Sequence, residues 1–401
     1  MNQQGVAITG MGVISAIGNN VKENHTSLVS EKIGISRISQ IDTVHKNEIM
    51  VGEISTTNRT FESQLNLSEN TYSRTPILGI IAAREAIAQA GIPNINDYRT
   101  GLISGTTVGG MDKAEQYFYD YFERDTHWIH INALHAGDST QKIAEAIGLE
   151  ESFVTTISTA CSSAANAIML GARMIKSGEL DRVIVGGSDS LSKFTINGFK
   201  TLMIFSDTYS TPFDEERKGL NLGEAAAFLV LESDEVVTRE NRKVLAYVKG
   251  YGNANDAFHQ TASSENGDGA VLAMERALKV AGISPGDIDY INAHGTATPN
   301  NDLSEGRALL RVFGENNVPP FSSTKAFTGH TLAAAGGIEA VYSVLALQHN
   351  VIYPNLNFKT PMKEFDLMPE VTLAKKDLKT VLSNSFGFGG NCSTLIFSKE
   401  P

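Results

Sequence analysis

The stretch REAIAQAGIPNINDYRTGLISGTT (84–107) is matched later in the chain by ERALKVAGISPGDIDYINAHGT (275–296). Both open with an apolar repeat of helical period that ends in Ala-Gly-Ile. Both then cross a loop holding acidic residues and reach a short strand that ends in small residues. The correspondence continues in order. VIVGGSDS (183–190), with FLVLE (228–232) after it, resembles VLSNSFGFGG (381–390) with TLIFS (394–398) after it, and the openings GVAITGMG (5–12) and AYVKGYGN (246–253) also pair. Chance readily produces one such helix pair, but much less readily four elements agreeing in order. Each half reads strand, helix, strand, helix, strand, strand, and strands alternating with helices predict an α/β fold with helix-covered sheets. The halves are 1–244 and 245–401. The first carries an insertion of about 111–150 with the aromatic run EQYFYDYFERDTHWIHINALH (115–135). Its aromatics are expected to line a pocket or a subunit contact; the alternative is a local lid with its own small core.

Composition bounds the function. The chain has 401 residues, 41% hydrophobic and 19% charged, enough for a large core in one big domain or two fused halves. No segment approaches the roughly 20 unbroken apolar residues of a membrane helix. The apolar opening GVAITGMGVISAIG lacks a basic run before it and is broken by glycines, so it reads as a buried strand and turn, not a signal peptide. Two distant cysteines give neither a disulfide framework nor a zinc spacing, which predicts free thiols and a cytoplasmic protein. The net charge of −12 argues against a general nucleic-acid binder. It leaves room for a local basic patch facing an acidic partner.

Three polar groups fall where a strand runs into a helix, the place where α/β sheets collect ligands. Cys161, in TTISTACSSAANAIML (155–170), sits at such a changeover, where free backbone N–H groups are expected to lower a thiol pKa and to face an oxyanion. A buried structural cysteine is the commoner fate of a free thiol, and Cys392 reads that way. His294 ends the strand of IDYINAHGTATPNND, with hydroxyls at Thr296 and Thr298; a satisfied core histidine is an equal reading. His330, in FSSTKAFTGHTLAAAGGIEA, stands in the second half near where Cys161 stands in the first, with Lys325 in the same connection. The loop SFGFGG (385–390) fails as a nucleotide loop, because no Lys-Ser/Thr follows and it enters a strand; a hydrophobic gate, an oxyanion donor or a bulged hairpin turn fits it. One thiol with two imidazoles and no metal motif suits acyl-thioester chemistry in which imidazole N–H groups stabilise an enolate. No cofactor is needed for it.

Taken together, GMGV, TACSSA, TPFDEERKG with GEAAAFLVLE, NAHGTATPNND, STKAFTGH and NSFGFGG run the whole chain in order. By them the sequence resembles a β-ketoacyl-acyl-carrier-protein synthase of the elongating Cys-His-His branch, within the thiolase-like fold. The resemblance implies two βαβαβ-ββ halves in a five-layered α-β-α-β-α core. It implies that Cys161 carries the acyl group and that His294 and His330 serve decarboxylation. Lys325 would organise the site with Glu339. The N–H groups of Cys161 and Phe388 would form an oxyanion hole, with Phe388 as gate. Thr296, Thr298 and Phe199 would bind the substrate and its pantetheine arm. It further implies an acyl carrier protein as partner, and a homodimer, or a heterodimer with a chain-length subunit. The chain departs from the family pattern at GEAAA for GEGA, RKGLN for RDGF and GFGGNC for GFGGTN. The segment KTLMIFSDTY is bulkier and less basic than the family's, and NLSENTYSRT (66–75) offers only Arg74 as a basic carrier contact. These departures bear on the pathway, with polyketide or aryl-polyene assembly as the alternative to fatty-acid synthesis.

Overall fold

Ten strands hydrogen-bond side by side, and their order repeats. The structure, a computed structural model, describes residues 5–123, 128–150 and 152–401. The strands are β1 (Val6–Ser15), β2 (Thr100–Gly105), β3 (Phe153–Ile157), β4 (Arg182–Asp189), β5 (Ala225–Ser233), β6 (Ala246–Asn255), β7 (Tyr290–Asn292), β8 (Phe321–Ser322), β9 (Thr380–Gly387) and β10 (Asn391–Ser398). Across the sheet they run β8-β7-β9-β10-β6-β1-β5-β4-β2-β3. Outward from the middle, one side is β1-β5-β4-β2-β3 and the other β6-β10-β9-β7-β8, the same order five strands on. Directions agree too. β5 is antiparallel to β1 and β4, and β2 is parallel to β4 and β3. β10 is likewise antiparallel to β6 and β9, and β7 is parallel to β9 and β8. Among the described residues the two sides of the sheet pair where Ala7 and Ile8 of β1 meet Tyr247 and Ala246 of β6.

Five helices complete the layers: α1 (Arg74–Gln89), α2 (Ser163–Lys176), α3 (Asp268–Ala281), α4 (Pro299–Phe313) and α5 (Ala335–His349). α1 covers β1 and β5 on one outer face, and α3 covers β6 and β10 on the other. α2 and α5 lie between: α2 touches β2, β4 and β10, and α5 touches β5, β9 and α2. The result is helix, sheet, helix, sheet, helix. β1 and β5 are buried at every residue, as strands covered on both faces must be. α5 is buried from Ala335 to Leu347, because a helix with a sheet on each side has no solvent face.

The central layer explains the small residues of the sequence. A Cβ added at Gly336, at the start of α5, would lie 2.9 Å from the backbone nitrogen of Ala165 in α2 and 2.8 Å from the Ser385 hydroxyl of β9. The insertion holds short helices at Met111–Gln116, Asp120–Glu123 and Ala136–Ala146, the last packed on α1 and β3. Residues 124–127 of its aromatic run lie outside the described residues. Among the described residues no helix is long and apolar enough to cross a membrane.

Ala165 is 1% exposed against Gly336. Replacing it with leucine should destabilise the fold by about 1–3 kcal/mol or more through overpacking, read as a lowered melting temperature; an unchanged melting temperature would contradict the tight central layer.

Candidate active site

β3 ends at Ile157 and α2 begins at Ser163, with five residues between them. The turn between them places Ala160 at φ +50°, a region that costs a residue with a Cβ. The two serines of TACSSA hold it there. Ser163 Oγ donates to the Ala160 carbonyl at 2.6 Å and accepts from the Thr159 N–H at 2.9 Å, while Ser162 Oγ donates to the Thr159 carbonyl at 2.7 Å. Asn391, the departure within GFGGNC, has its Oδ1 2.8 Å from Ser162 Oγ and accepts from Asn166 Nδ2 at 2.9 Å. Nothing in the sequence marks this strained turn, since the usual signals, Gly or Asn, are absent from it. From the other half, the end of β9 comes up against the same turn. A Cβ at Gly387 would sit 2.7 Å from the Thr159 carbonyl and 3.2 Å from the Cys161 nitrogen. Only glycine allows that approach. It brings the Phe388 N–H, beside the N–H of Cys161 itself, to the Cys161 thiol.

Two histidines close the opposite side. The N–H groups of His294 and Gly295 donate to the buried Glu305 carboxylate at 2.9 and 2.8 Å, which fixes the strand end that carries the ring. His330 accepts from the Leu332 N–H at Nδ1, 3.1 Å away, so its proton is assigned to Nε2. The rings stand perpendicular, with centroids 5.5 Å apart. Behind them Lys325 Nζ donates to the His294 carbonyl at 2.5 Å, lies 3.3 Å from His294 Nδ1, and forms a buried ion pair with Glu339. An ammonium only donates, so His294 Nδ1 accepts and its proton is assigned to Nε2 as well.

Burial sets the charges. It pushes His330 down to about 3 and His294 well below the usual imidazole value, with the Lys325 charge adding to both. It raises Glu339 to about 7 against the pull of Lys325, and Glu305 to about 7 against its backbone donors. The Cys161 thiol is pushed up to about 12, although Lys325 and the N–H groups of Phe388 and Cys161 act the other way. This corrects the expectation of a lowered thiol. Cys161 is 4% exposed, two residues ahead of α2, and desolvation outweighs the helix terminus.

Cys161, His294, His330 and Phe388 line one cavity of about 400 Å³, with Phe199 stacked on Phe388 at 5.8 Å. Thr296 and Thr298, hydroxyls 2.9 Å apart, line it farther out. Lys325 and Glu339 stand behind the lining. Lys218 of RKGLN is the one lysine or arginine among the described lining residues and is exposed. Cys392 also lines the cavity, which its sequence context did not foretell; burial raises its thiol to about 12. No described residue of 111–150 lines it. Arg74 does not serve as an open basic contact. It forks onto Glu224 of GEAAA at 2.8 Å through both Nε and a terminal nitrogen, at 11% side-chain exposure. Among the described residues no cluster of three or more metal-ligating side chains occurs.

Comparison with known proteins places the whole chain. Residues 3–236 match the family described as "Beta-ketoacyl synthase, N-terminal domain" and residues 245–359 the one described as "Beta-ketoacyl synthase, C-terminal domain". The chain is 35% identical over 409 aligned residues, 98% of each chain, to 3-oxoacyl-[acyl-carrier-protein] synthase 2 of Staphylococcus aureus. It is similar to a solved ketosynthase in complex with its chain length factor from Xenorhabdus doucetiae, at TM-score 0.86 and 32% identity, covering 99% of this chain and 98% of that one. A type II polyketide synthase acyl-carrier protein in complex with its ketosynthase bound to the hexaketide gives TM-score 0.86 at 26% identity, over 99% of this chain and 100% of that one.

With both imidazoles held neutral by burial, their NMR signals should stay flat between about pH 5 and 8, where a free histidine titrates; a midpoint near the ordinary value in either ring would overturn the assignment. The linkage has a definite sign. As pH falls from 6.5 toward about 3, the unfolded chain binds protons that folded His330 refuses, so the two histidines' contribution to stability is lost over that window. Denaturant melts of wild type and His330→Phe over that range measure it, and the variant should show the shallower acid slope. Arg74→Ala, which strands Glu224 in the interior, should cost about 3–5 kcal/mol in thermal or denaturant unfolding.

Proposed function

The chain belongs to the β-ketoacyl synthase family, and from that premise we propose that it joins an acyl group held on Cys161 to a malonyl group carried on an acyl carrier protein, with loss of carbon dioxide. The observation that carries this reading is the pairing within one cavity of a thiol beside two backbone N–H groups with two neutral imidazoles whose Nε2–H groups are free to donate.

The steps follow from those groups. The acyl thioester of the carrier exchanges with Cys161: the new S–C bond forms, the carrier thiol leaves, and the Cys161 proton ends on it. The oxyanion of that exchange is met by the N–H groups of Phe388 and Cys161. The malonyl thioester then enters. Its C–C bond to the carboxylate breaks, and the electron pair moves onto the thioester oxygen. The Nε2–H groups of His294 and His330 stabilise the enolate as its charge develops. The enolate carbon attacks the acyl carbonyl, the Cys161 sulfur leaves as thiolate and takes up a proton from solvent, and a 3-oxoacyl carrier results. Lys325, with Glu339 as its counter-charge, keeps His294 Nδ1 an acceptor. Thr296 and Thr298 suit the amide-bearing pantetheine arm, and Phe199 and Phe388 gate the acyl end. Lys218 stands at the outer end, where an acidic carrier would approach. The repeated strand order supports treating 1–244 and 245–401 as two halves of one catalytic unit, working in the cytoplasm.

A specialised polyketide or aryl-polyene pathway with a different chain-length subunit is the second reading. It is favoured by the chain-length-factor complex among similar structures and by KTLMIFSDTY, whose Met203 is 89% exposed beside the cavity it lines. Exposed Phe118 and Tyr119 of the insertion suit a subunit contact with either a second copy or such a partner. A non-catalytic partner role has no support, since Cys161 and both histidines are in place.

Intact-protein mass spectrometry after incubation with acyl carrier should show one acyl adduct, absent in Cys161→Ala; wild-type-like condensation by that variant would sink the mechanism. Cys161→Gln should still decarboxylate malonyl carrier protein. His294→Ala and His330→Ala should each lower decarboxylation by about 10²–10³-fold, the usual loss for a removed oxyanion donor, while some acyl adduct still forms. A loading panel separates the pathways: saturated long chains favour fatty-acid elongation, and selective polyenoyl or aryl loading favours the specialised one.

A further inference from the structure

We propose that Asp189 is a positioning residue: it locks the His330 corner of the second half onto the Cys161 side of the first, and so sets where the His330 imidazole stands. The inference rests on the reaction proposed above.

Asp189 is the last residue of β4 and is fully buried. One oxygen accepts from Thr106 Oγ1 at 2.6 Å, the other from Thr107 Oγ1 at 2.7 Å, and the Thr107 N–H lies 3.1 Å from both. These donors belong to the first half, just past β2. A further donor does not: the Ala333 N–H reaches the same carboxylate at 2.9 Å. Ala333 lies in the single turn Leu332–Ala334 that follows His330. Consecutive N–H groups of this turn therefore face two ways, Leu332 onto His330 Nδ1 and Ala333 onto Asp189. Leu332 is held at φ +55°. A leucine stays there, at a cost of about 1–3 kcal/mol, only when its surroundings over-determine it, and these two bonds supply that constraint.

The half-repeat gives the arrangement a counterpart. Asp189 pairs with Ala225, the first residue of β5, and Gly387 pairs with Asn391, the first residue of β10. The two positions correspond. Gly387 brings its half against the Cys161 turn, and Asp189 brings the other half against the His330 turn. Each half thus fixes the other's corner. A carboxylate is required because two oxygens must accept from donors on both sides. Asparagine offers one acceptor and turns an NH₂ toward an N–H or hydroxyl that needs an acceptor. No ion pair to Asp189 occurs among the described residues, so its charge is balanced by hydrogen bonds alone. Burial is what chiefly holds the Cys161 thiol up, and that charge adds a smaller push in the same direction.

Asp189→Asn should therefore act on two steps in opposite senses. Decarboxylation of malonyl carrier protein should fall by about 10²-fold in kcat, the scale of a small misplacement, with KM little changed. Alkylation of Cys161 by iodoacetamide should become faster, and its midpoint pH should move down, because a like charge has gone. Acyl adduct formation should persist. Equal losses of acylation and decarboxylation with no gain in thiol reactivity would mean a merely structural role and overturn the proposal, as would unchanged decarboxylation. If Asp189→Asn does not fold, Thr107→Val carries the test. It removes one first-half donor, and decarboxylation should fall more than acylation, by a smaller factor; an even loss overturns the proposal. Wild type that fails to decarboxylate malonyl carrier would instead remove the reaction proposed above, so the two failures are distinct.

Discussion

How closely two sheets can approach across a shared helical layer governs everything at the cavity. α2 and α5 meet through Ala165 and Gly336, with no room for one more carbon between them. That contact brings the mouth of β3, in one half, opposite the mouths of β7 and β8 in the other. Cys161, His294 and His330 stand at or just beyond those mouths. If the layer were one side chain thicker, the Phe388 N–H would no longer reach the thiol, and the two imidazoles would face an empty gap. The run of small residues after Cys161 is therefore a distance constraint, not a preference of local structure.

Burial then decides the chemistry. Burial keeps both imidazoles neutral and the thiol protonated in the resting protein. For a thiolate stored in advance this would be a poor site. For neutral N–H donors that act only when an enolate forms, it is a good one, because among buried groups their attraction for the developing charge is screened less than at the surface. Lys325 is the organising cation. Its three N–H groups go to the His294 carbonyl, His294 Nδ1 and Glu339, so one buried charge sets both the place and the tautomer of a ring. Its charge and that of Glu339 cancel locally, which makes an ammonium tolerable among apolar layers.

Particular residues show where sequence reading succeeds and where it stops. The half-repeat was legible because each strand and helix is local in sequence and carries its own period. The strand-end addresses of Cys161, His294 and His330 were legible for the same reason, as was the link of Lys325 to Glu339 once the family resemblance was admitted. That Arg74, the one basic residue of 66–75, is already occupied could not be read, because its partner Glu224 is far along the chain and only folding joins them. The strained turn at Ala160 left no mark, since serine hydroxyls hold it where a glycine would have announced it. Glu305 and Asp189 left no mark for a similar reason: their partners are backbone N–H groups, which every residue possesses, and side chains that only folding brings to them, Asn384 for Glu305 and Thr106 and Thr107 for Asp189.

The sequence by itself determined the α/β repeat, the order of its elements and the residue types able to do thioester chemistry, because these depend on period and on side-chain identity. Only the tertiary structure decided that the thiol lies beside the Phe388 N–H, that both histidines present Nε2–H, and that burial raises the thiol when its helix-end position suggested the opposite. Distance and desolvation decided those points, and both arise from contacts between the halves that no single stretch of the chain contains.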